Sequence, residues 1–229
     1  MNHTKISQST RTTILSCATV LEEILPLLPS DMDYVEFDFG LHLRPQDLKR
    51  ALQEAIDAAG RTAHTVLLGY GLCSLAVVGL HANNCTLVVP KVDDCIAIFL
   101  GSREAYAAQA RKAPGTYYLT KGWIVASDTI WDEYQKMVER YGETRAERMM
   151  GLMLKNYTRL VYIDTGHQDQ GRYRDYAQKV ANEFQLRYEE ITGEDTLIRK
   201  LLFGPWDGDF VVAEPGQTIA YSDFQITNR

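Results

Sequence analysis

Residues 65–96 read TVLLGYGLCSLAVVGLHANNCTLVVPKVDDCI, and two short apolar runs within them, Thr65–Leu68 and Thr86–Val89, decide the fold class. Four or five consecutive β-prone residues with no polar alternate are the mark of a strand covered on both faces, and such strands belong to parallel sheets. Between the two runs, Ser74–His81 has room for one or two helical turns. Strand, crossover and strand make a parallel unit.

The same alternation extends outward. Thr12–Ser16 is β-prone, Thr19–Leu28 is helical up to Pro29, and Tyr34–Phe39 alternates apolar and acidic residues as a half-buried strand does. Pro45 opens a helix that Gly60 stops. Downstream, Asp93–Ala110 is helical with a break at Gly101, and Thr116–Leu119 is a strand. Asp128–Tyr141 and Thr144–Tyr157 are amphipathic helices joined at Gly142. Arg159–Asp164, Leu186–Ile191 and Phe210–Ala213 then read as strands, separated by helices at Gly171–Phe184 and Asp195–Phe203.

The predicted class is α/β, with mostly parallel sheets and flanking helices. RTTILSC and TRLVYIDTG, YVEFDFG and RYEEITG, and TVLLGYG and DFVVAEPG echo one another in pattern. This echo suggests two Rossmann-like lobes joined by crossover helices. The predicted division is a flexible tail at 1–11, a first lobe with cysteine-bearing loops at 12–127, connecting helices at 128–157, and a smaller second lobe at 158–229.

Composition narrows the functions. A formal charge of -6 gives no basic field for a nucleic-acid backbone. No run approaches the length of a membrane span, and MNHTKISQST lacks the apolar centre of an export signal. Four cysteines without a CxxC pair form neither a disulfide framework nor a zinc ribbon, so a reduced, cytoplasmic protein is expected. The phosphate-loop, HExxH, GxSxG and GxGxxG motifs are missing.

What remains is a constellation at strand ends. In open α/β sheets ligands collect outside the carboxyl ends of the strands. Cys17, Cys73 and Cys95 each follow a strand-like run, and His42 follows another. Thiolates with an imidazole suit zinc, so these four are the candidate metal ligands. Glu22 or Glu23, just beyond Cys17, is a possible addition. Gly69, Tyr70 and Gly71 form the turn before Cys73, where glycine permits positive φ and close approach. A thiol at a helix amino terminus there would be acidified.

Asp94 precedes Cys95 and also suits a helix N-cap. Trp123 is positioned to wall a pocket, and His167 holds in the second half the place that His42 holds in the first. Gly69, Tyr70, Gly71, Asp94, Trp123 and His167 are therefore the candidate cofactor-binding residues. The loop EPGQT at 214–218 is expected to face the same crevice. Cys85, His64 and His81 fall at strand beginnings, the wrong end for a site. Each of these residues also has a structural reading: buried packing for the thiols, solvation for the histidines, and core or dimer packing for the methionine-bearing helices.

Taken in order, SCATVLEEI, GLHLRP, GYGLCS, VPKVDDCIAIFLGS and YYLTKGW resemble an uncharacterised prokaryotic domain family of unknown function. That family occurs in anaerobic bacteria and archaea, often encoded near corrinoid-dependent methyltransferase systems. The resemblance spans about residues 12–215 and falls on Cys17, His42, Pro45, Tyr70 to Cys73, Asp94, Cys95, Gly101 and Ser102. Ser74 departs from the glycine expected there. The resemblance implies no established activity, but its association with methyl-group metabolism points to methyl-group or thiol transfer. The thiolate and imidazole donors themselves make zinc the expected cofactor, with an iron–sulfur cluster or corrinoid as alternatives. The implied partners are a small-molecule substrate or corrinoid methyltransferase components, with a homo-oligomer also open. A metal-dependent transferase, a non-catalytic binding or accessory protein, and a thiol enzyme using Cys73 with His42 as base are the competing readings.

Overall fold

The computed structural model describes residues 11–72, 75–167 and 169–225. Among these, eight strands form two sheets, with the strand orders β2-β1-β3-β4-β8 and β5-β6-β7. The first sheet holds β1 (Thr12–Cys17), β2 (Asp33–Phe37), β3 (Thr65–Gly69) and β4 (Thr86–Pro90), all parallel. Its last strand, β8 (Phe210–Ala213), runs antiparallel to β4. The second sheet is parallel throughout: β5 (Thr116–Leu119), β6 (Arg159–Asp164) and β7 (Arg187–Thr192). The α/β class is as expected.

The apolar runs form strands because both of their faces are covered. Val66, Leu67, Leu68, Leu87, Val88 and Val89 are fully buried. Helix α2 (Pro45–Ala59) lays Leu48, Leu52 and Ile56 into this core at four-residue spacing. Helices α3 (Cys95–Phe99) and α4 (Arg103–Lys112) follow β4, and Gly101 breaks between them at φ +78°. Helix α9 (Thr196–Phe203) returns late in the chain to bury Leu197, Ile198, Leu201 and Leu202 in the same core.

The sheets do not divide the chain at residues 127 and 158. Strand β5 pairs with β6 in register Thr116↔Arg159, and β8 goes back to β4. Helices α6 (Ile130–Tyr141) and α7 (Glu143–Met153) are the crossover between β5 and β6 and contribute Ile130, Tyr134 and Met150 to the second core. They turn at Gly142, φ +80°, and Thr129 and Asp132 form a reciprocal capping box at the start of α6. Helix α8 (Gln170–Glu183) adds Ala177, Val180 and Ala181. The internal echo holds as far as the adjacent parallel pairs β1–β2 and β6–β7, but β8 is not a counterpart of β3, since it is antiparallel. Among the described residues no helix is long and apolar enough to cross a membrane.

Two short helices bring the sheets together. Helix α1 (Ala18–Ile24) leaves the carboxyl end of β1 directly, and α5 (Lys121–Ala126) leaves β5 in the same way. They cross at Gly122, where an added Cβ would lie 2.4 Å from the Thr19 carbonyl oxygen. Lys121 Nζ reaches Glu22 Oε2 at 2.6 Å, and Gly122 N donates to Glu23 Oε1 at 3.3 Å. A second tie joins Glu194 N to Phe99 O at 3.0 Å. The carboxyl ends of both sheets thus meet across α1 and α5.

Two packing features predict stability changes. Arg159 is fully buried and is held by Glu189 at 2.6 Å, Thr116 at 2.9 Å and Gln109 at 3.1 Å. Its hydrogen bond holds the Glu189 carboxyl below the ordinary carboxylate value, so the pair stabilises the fold above that range and loses this contribution as pH falls through the lowered value. Glu189→Ala leaves a buried guanidinium without its counter-charge; urea unfolding at pH 7 should show a loss of about 2–3 kcal/mol, and the acid limb of the stability curve should flatten. Gly122→Ala forces α1 from α5 and should cost about 1–3 kcal/mol in the same assay.

Candidate functional site

Strands β1, β3 and β4 are neighbours, so the residues that follow them share one edge of the first sheet. Cys17 takes the N-cap position of α1 and is buried. Burial pushes its thiol up to about 11, against the opposing pull of the Val20 and Thr19 backbone N–H groups. It is therefore a protonated thiol.

His42 lies in a 3-10 turn, Phe39–Leu43, beyond β2. Its Nδ1 sits 2.9 Å from the Phe39 carbonyl oxygen, which makes this nitrogen the protonated donor and Nε2 the lone-pair nitrogen. Burial lowers its pKa and keeps the ring neutral. The ring stacks on Phe39 at 4.9 Å and faces Tyr70 at 5.9 Å; Trp123 of α5 continues the aromatic row, 5.3 Å from Phe39.

Gly69 and Gly71 do not take positive φ, contrary to one expectation. Close approach is what they supply. A Cβ on Gly69 would lie 2.3 Å from Ser16 Oγ, and one on Gly71 would lie 2.7 Å from Val92 O. Leu72 N bonds Val92 O at 2.9 Å, so the turn after β3 lies directly on the turn after β4. There Asp94 is the N-cap of α3, accepting from Ile96 N at 2.9 Å, and burial raises its carboxyl. Cys95 begins α3 and is buried.

Cys73 lies outside the described residues. Among those described, no three His, Cys, Asp or Glu side chains are grouped to hold a metal. Cys17, His42 and Cys95 share an edge without forming a ligand set by themselves.

The other edge is occupied as expected in part. Cys85 is buried against Gly60, and His81 Nδ1 meets Thr218 Oγ1 at 2.8 Å. The EPGQT loop, however, lies here too: Gly216 N bonds Ala82 O and Ala82 N bonds Gln217 O. Because β8 is antiparallel, its carboxyl end leads away from the crevice.

His167 belongs to a different place. It follows β6, and its Nε2 lies 2.5 Å from Glu23 Oε2 of α1. Glu23 is 5% exposed, with its other oxygen on Gly122 N. The pair walls a cavity of about 720 Å³ between α1, the end of β6 and the end of β7. Thr165 also lines it, and its Oγ1 is buried without a hydrogen-bond partner among the described residues. Asp164 Oδ1 accepts from Gly166 N at 2.9 Å and its Oδ2 faces Arg174 at 3.3 Å, while Asp195 pairs with Arg199 at 2.7 Å.

Sequence reasoning placed Glu23 beside Cys17 as a possible ligand and missed its actual partner, which is 144 residues away. It also passed over Thr165. The available signal was a pair of acids, Glu22 and Glu23, in an otherwise uncharged short helix.

Comparison with curated proteins finds no match. Comparison with solved structures finds none either. A family model described as "Protein of unknown function (DUF1638)" matches residues 37–202, which include His42, the GYGLC turn, VDDCI and His167, and the chain belongs to that family.

Proposed function

We propose that this protein binds a small molecule in the cleft where the carboxyl ends of its two sheets meet. The observation that carries this reading is the cavity of about 720 Å³ walled by α1 from one sheet and by the β6 and β7 ends from the other. It is large enough for a metabolite and lies where α/β sheets take their ligands. The alternation of carboxylates, threonines and glycines along its wall, with Pro26, Leu27, Phe99 and Ile198 on the apolar side, suits a polar compound with a small apolar body.

A thermal-shift series with uncharged, cationic and anionic metabolites tests this. A ligand at a hundredfold excess over its Kd adds about 2.7 kcal/mol, a rise of roughly 5–10 °C for a chain of this size. Thr196→Trp, at the exposed mouth, should abolish that rise and leave the unliganded Tm within about 2 °C. No stabilising compound, or equal stabilisation of the variant, would refute the reading.

A second reading places a metal at the rim of the first sheet, with Cys17, His42, Cys73 and Cys95 as ligands. The Phe39 carbonyl on His42 Nδ1 favours it, because a ligating imidazole is commonly held through its other nitrogen in this way. Zinc suits such donors, with an iron–sulfur cluster as the alternative. A zinc held by these residues would supply a Lewis acid that keeps a substrate thiol as thiolate, the chemistry that methyl transfer to a thiol requires. Corrinoid methyltransferase components would then be the partners. Binding must displace the Cys17 proton, so metal content should fall on acidification. Elemental analysis of anaerobically purified protein should give about one metal per chain, lost in Cys17→Ser and in Cys95→Ser; metal-free protein at all stages would end this reading.

A further inference from the structure

Glu23 and His167 come from different sheets, and the chain holds them together at some cost. Glu23 is buried, and burying a carboxylate is unfavourable unless every oxygen is satisfied. Gly122 N and His167 Nε2 satisfy the two oxygens. His167 is itself mostly buried, with its side chain 12% exposed on the cavity side. With Nε2 donating to Glu23, the imidazole carries its lone pair on Nδ1, which has no partner among the described residues. On the same cavity Thr165 presents a buried hydroxyl with no partner among the described residues. A lone pair and an unused hydroxyl next to an empty space are the two halves of a proton-transfer site.

We infer that His167 is a general base for the molecule bound in the cavity, with Glu23 as its positioning residue. The inference rests on the small-molecule reading above and deepens it. The step balances simply. A substrate X–H bond breaks, its electron pair stays on X, and the proton forms a new bond to His167 Nδ1. The imidazolium then donates through Nε2–H to the Glu23 carboxylate, which fixes the tautomer and stabilises the charge. Thr165 Oγ1 donates a hydrogen bond to the heteroatom that becomes electron-rich.

The substrate class follows from the remaining wall. Asp164, Glu194 and Asp195 line the cavity, and among the described residues no lysine or arginine does. A phosphate or carboxylate substrate would enter against these charges. The substrate is a non-anionic small molecule carrying an alcohol, a thiol or an ammonium group.

Diethyl pyrocarbonate, a small electrophile that acylates an unprotonated imidazole nitrogen, is the probe. Rates on the full chain are read for each histidine by peptide mass spectrometry between pH 5 and 8, alongside the imidazole ¹⁵N shifts. His167 should show the Nε2–H tautomer and react faster than His64, which lies on the opposite edge. Glu23→Gln should slow His167 about tenfold, the factor carried by one charge-assisted hydrogen bond, and leave His64 and His81 unchanged. The pH profile reports on His167 in the presence of Glu23, which it contacts, and of Asp164, Glu194 and Asp195, which line the same cavity.

If Glu23→Gln does not fold, the wild-type tautomer and rate still decide. An Nδ1–H tautomer, an inert His167 or a rate unaffected by Glu23→Gln overturns the inference. Stabilisation by cavity ligands alongside an inert His167 overturns this step alone and leaves the binding reading standing. A reactive, Nε2–H His167 with no stabilising compound supports the dyad and fails the binding reading.

Discussion

The arrangement of the two sheets depends on how closely α1 can approach α5. At Gly122 the backbones are so near that even a methyl group would meet the Thr19 carbonyl. That contact, with the Lys121–Glu22 ion pair beside it, fixes the angle at which the strand ends of one sheet face those of the other. Helix α1 pays for its central position by having six of its seven residues buried, including Glu23. A buried carboxylate in such a helix is tolerable only with donors from both sides. Gly122 and His167 provide them, and Glu23 and His167, which tie α1 to the end of β6, also wall the cavity. Lobe packing and site geometry are one problem in this protein.

The same helix separates two chemistries. Cys17 caps its amino end among aromatic and apolar neighbours, and Glu23 ends it at the cavity, roughly 9 Å further along the axis at 1.5 Å per residue. At the first end burial keeps the Cys17 thiol protonated and His42 neutral. That environment disfavours charge unless a metal supplies it. At the other end carboxylates and hydroxyls dominate. A single ligand class does not satisfy both ends, which is why the cavity and the rim support different functional readings.

The elements were legible in the sequence, and their partners were not. Thr65–Leu68 and Thr86–Val89 declared buried strands by being continuous and apolar, and Gly101 and Gly142 declared breaks where the backbone takes positive φ. Asp94 as an N-cap was equally visible. Strand pairing has no such local signature. The four residues of β5 look the same whether they sit beside β4 or β6, and those of β8 do not reveal their direction. The misplacement of EPGQT followed from that one hidden sign. For the site, strand ends could be listed, which gathered Cys17, His42, Tyr70 and Asp94 on one edge. Glu23 meeting His167 could not be read, because it depends on the crossing of α1 and α5 and on no spacing in the chain.

The charge of the cavity wall bears on what the fold can select. Asp164 and Asp195 are tied to Arg174 and Arg199, so their negative charge is partly balanced from behind, at the surface. Those arginines do not line the cavity. A ligand therefore meets the carboxylates and not their counter-ions. The start of α9, with Asp195 at its N-cap and Thr196 as its first residue, lies on the same wall, and a helix start ordinarily attracts anions. Here the Asp195 carboxylate stands at that helix start and Asp164 and Glu194 line the wall beside it, so the acidic side chains of the cavity oppose an anion there. Many α/β proteins use this position to hold phosphate. In this chain Asp164, Glu194 and Asp195 repel a phosphate from this wall, and a neutral or cationic guest is the one that it favours.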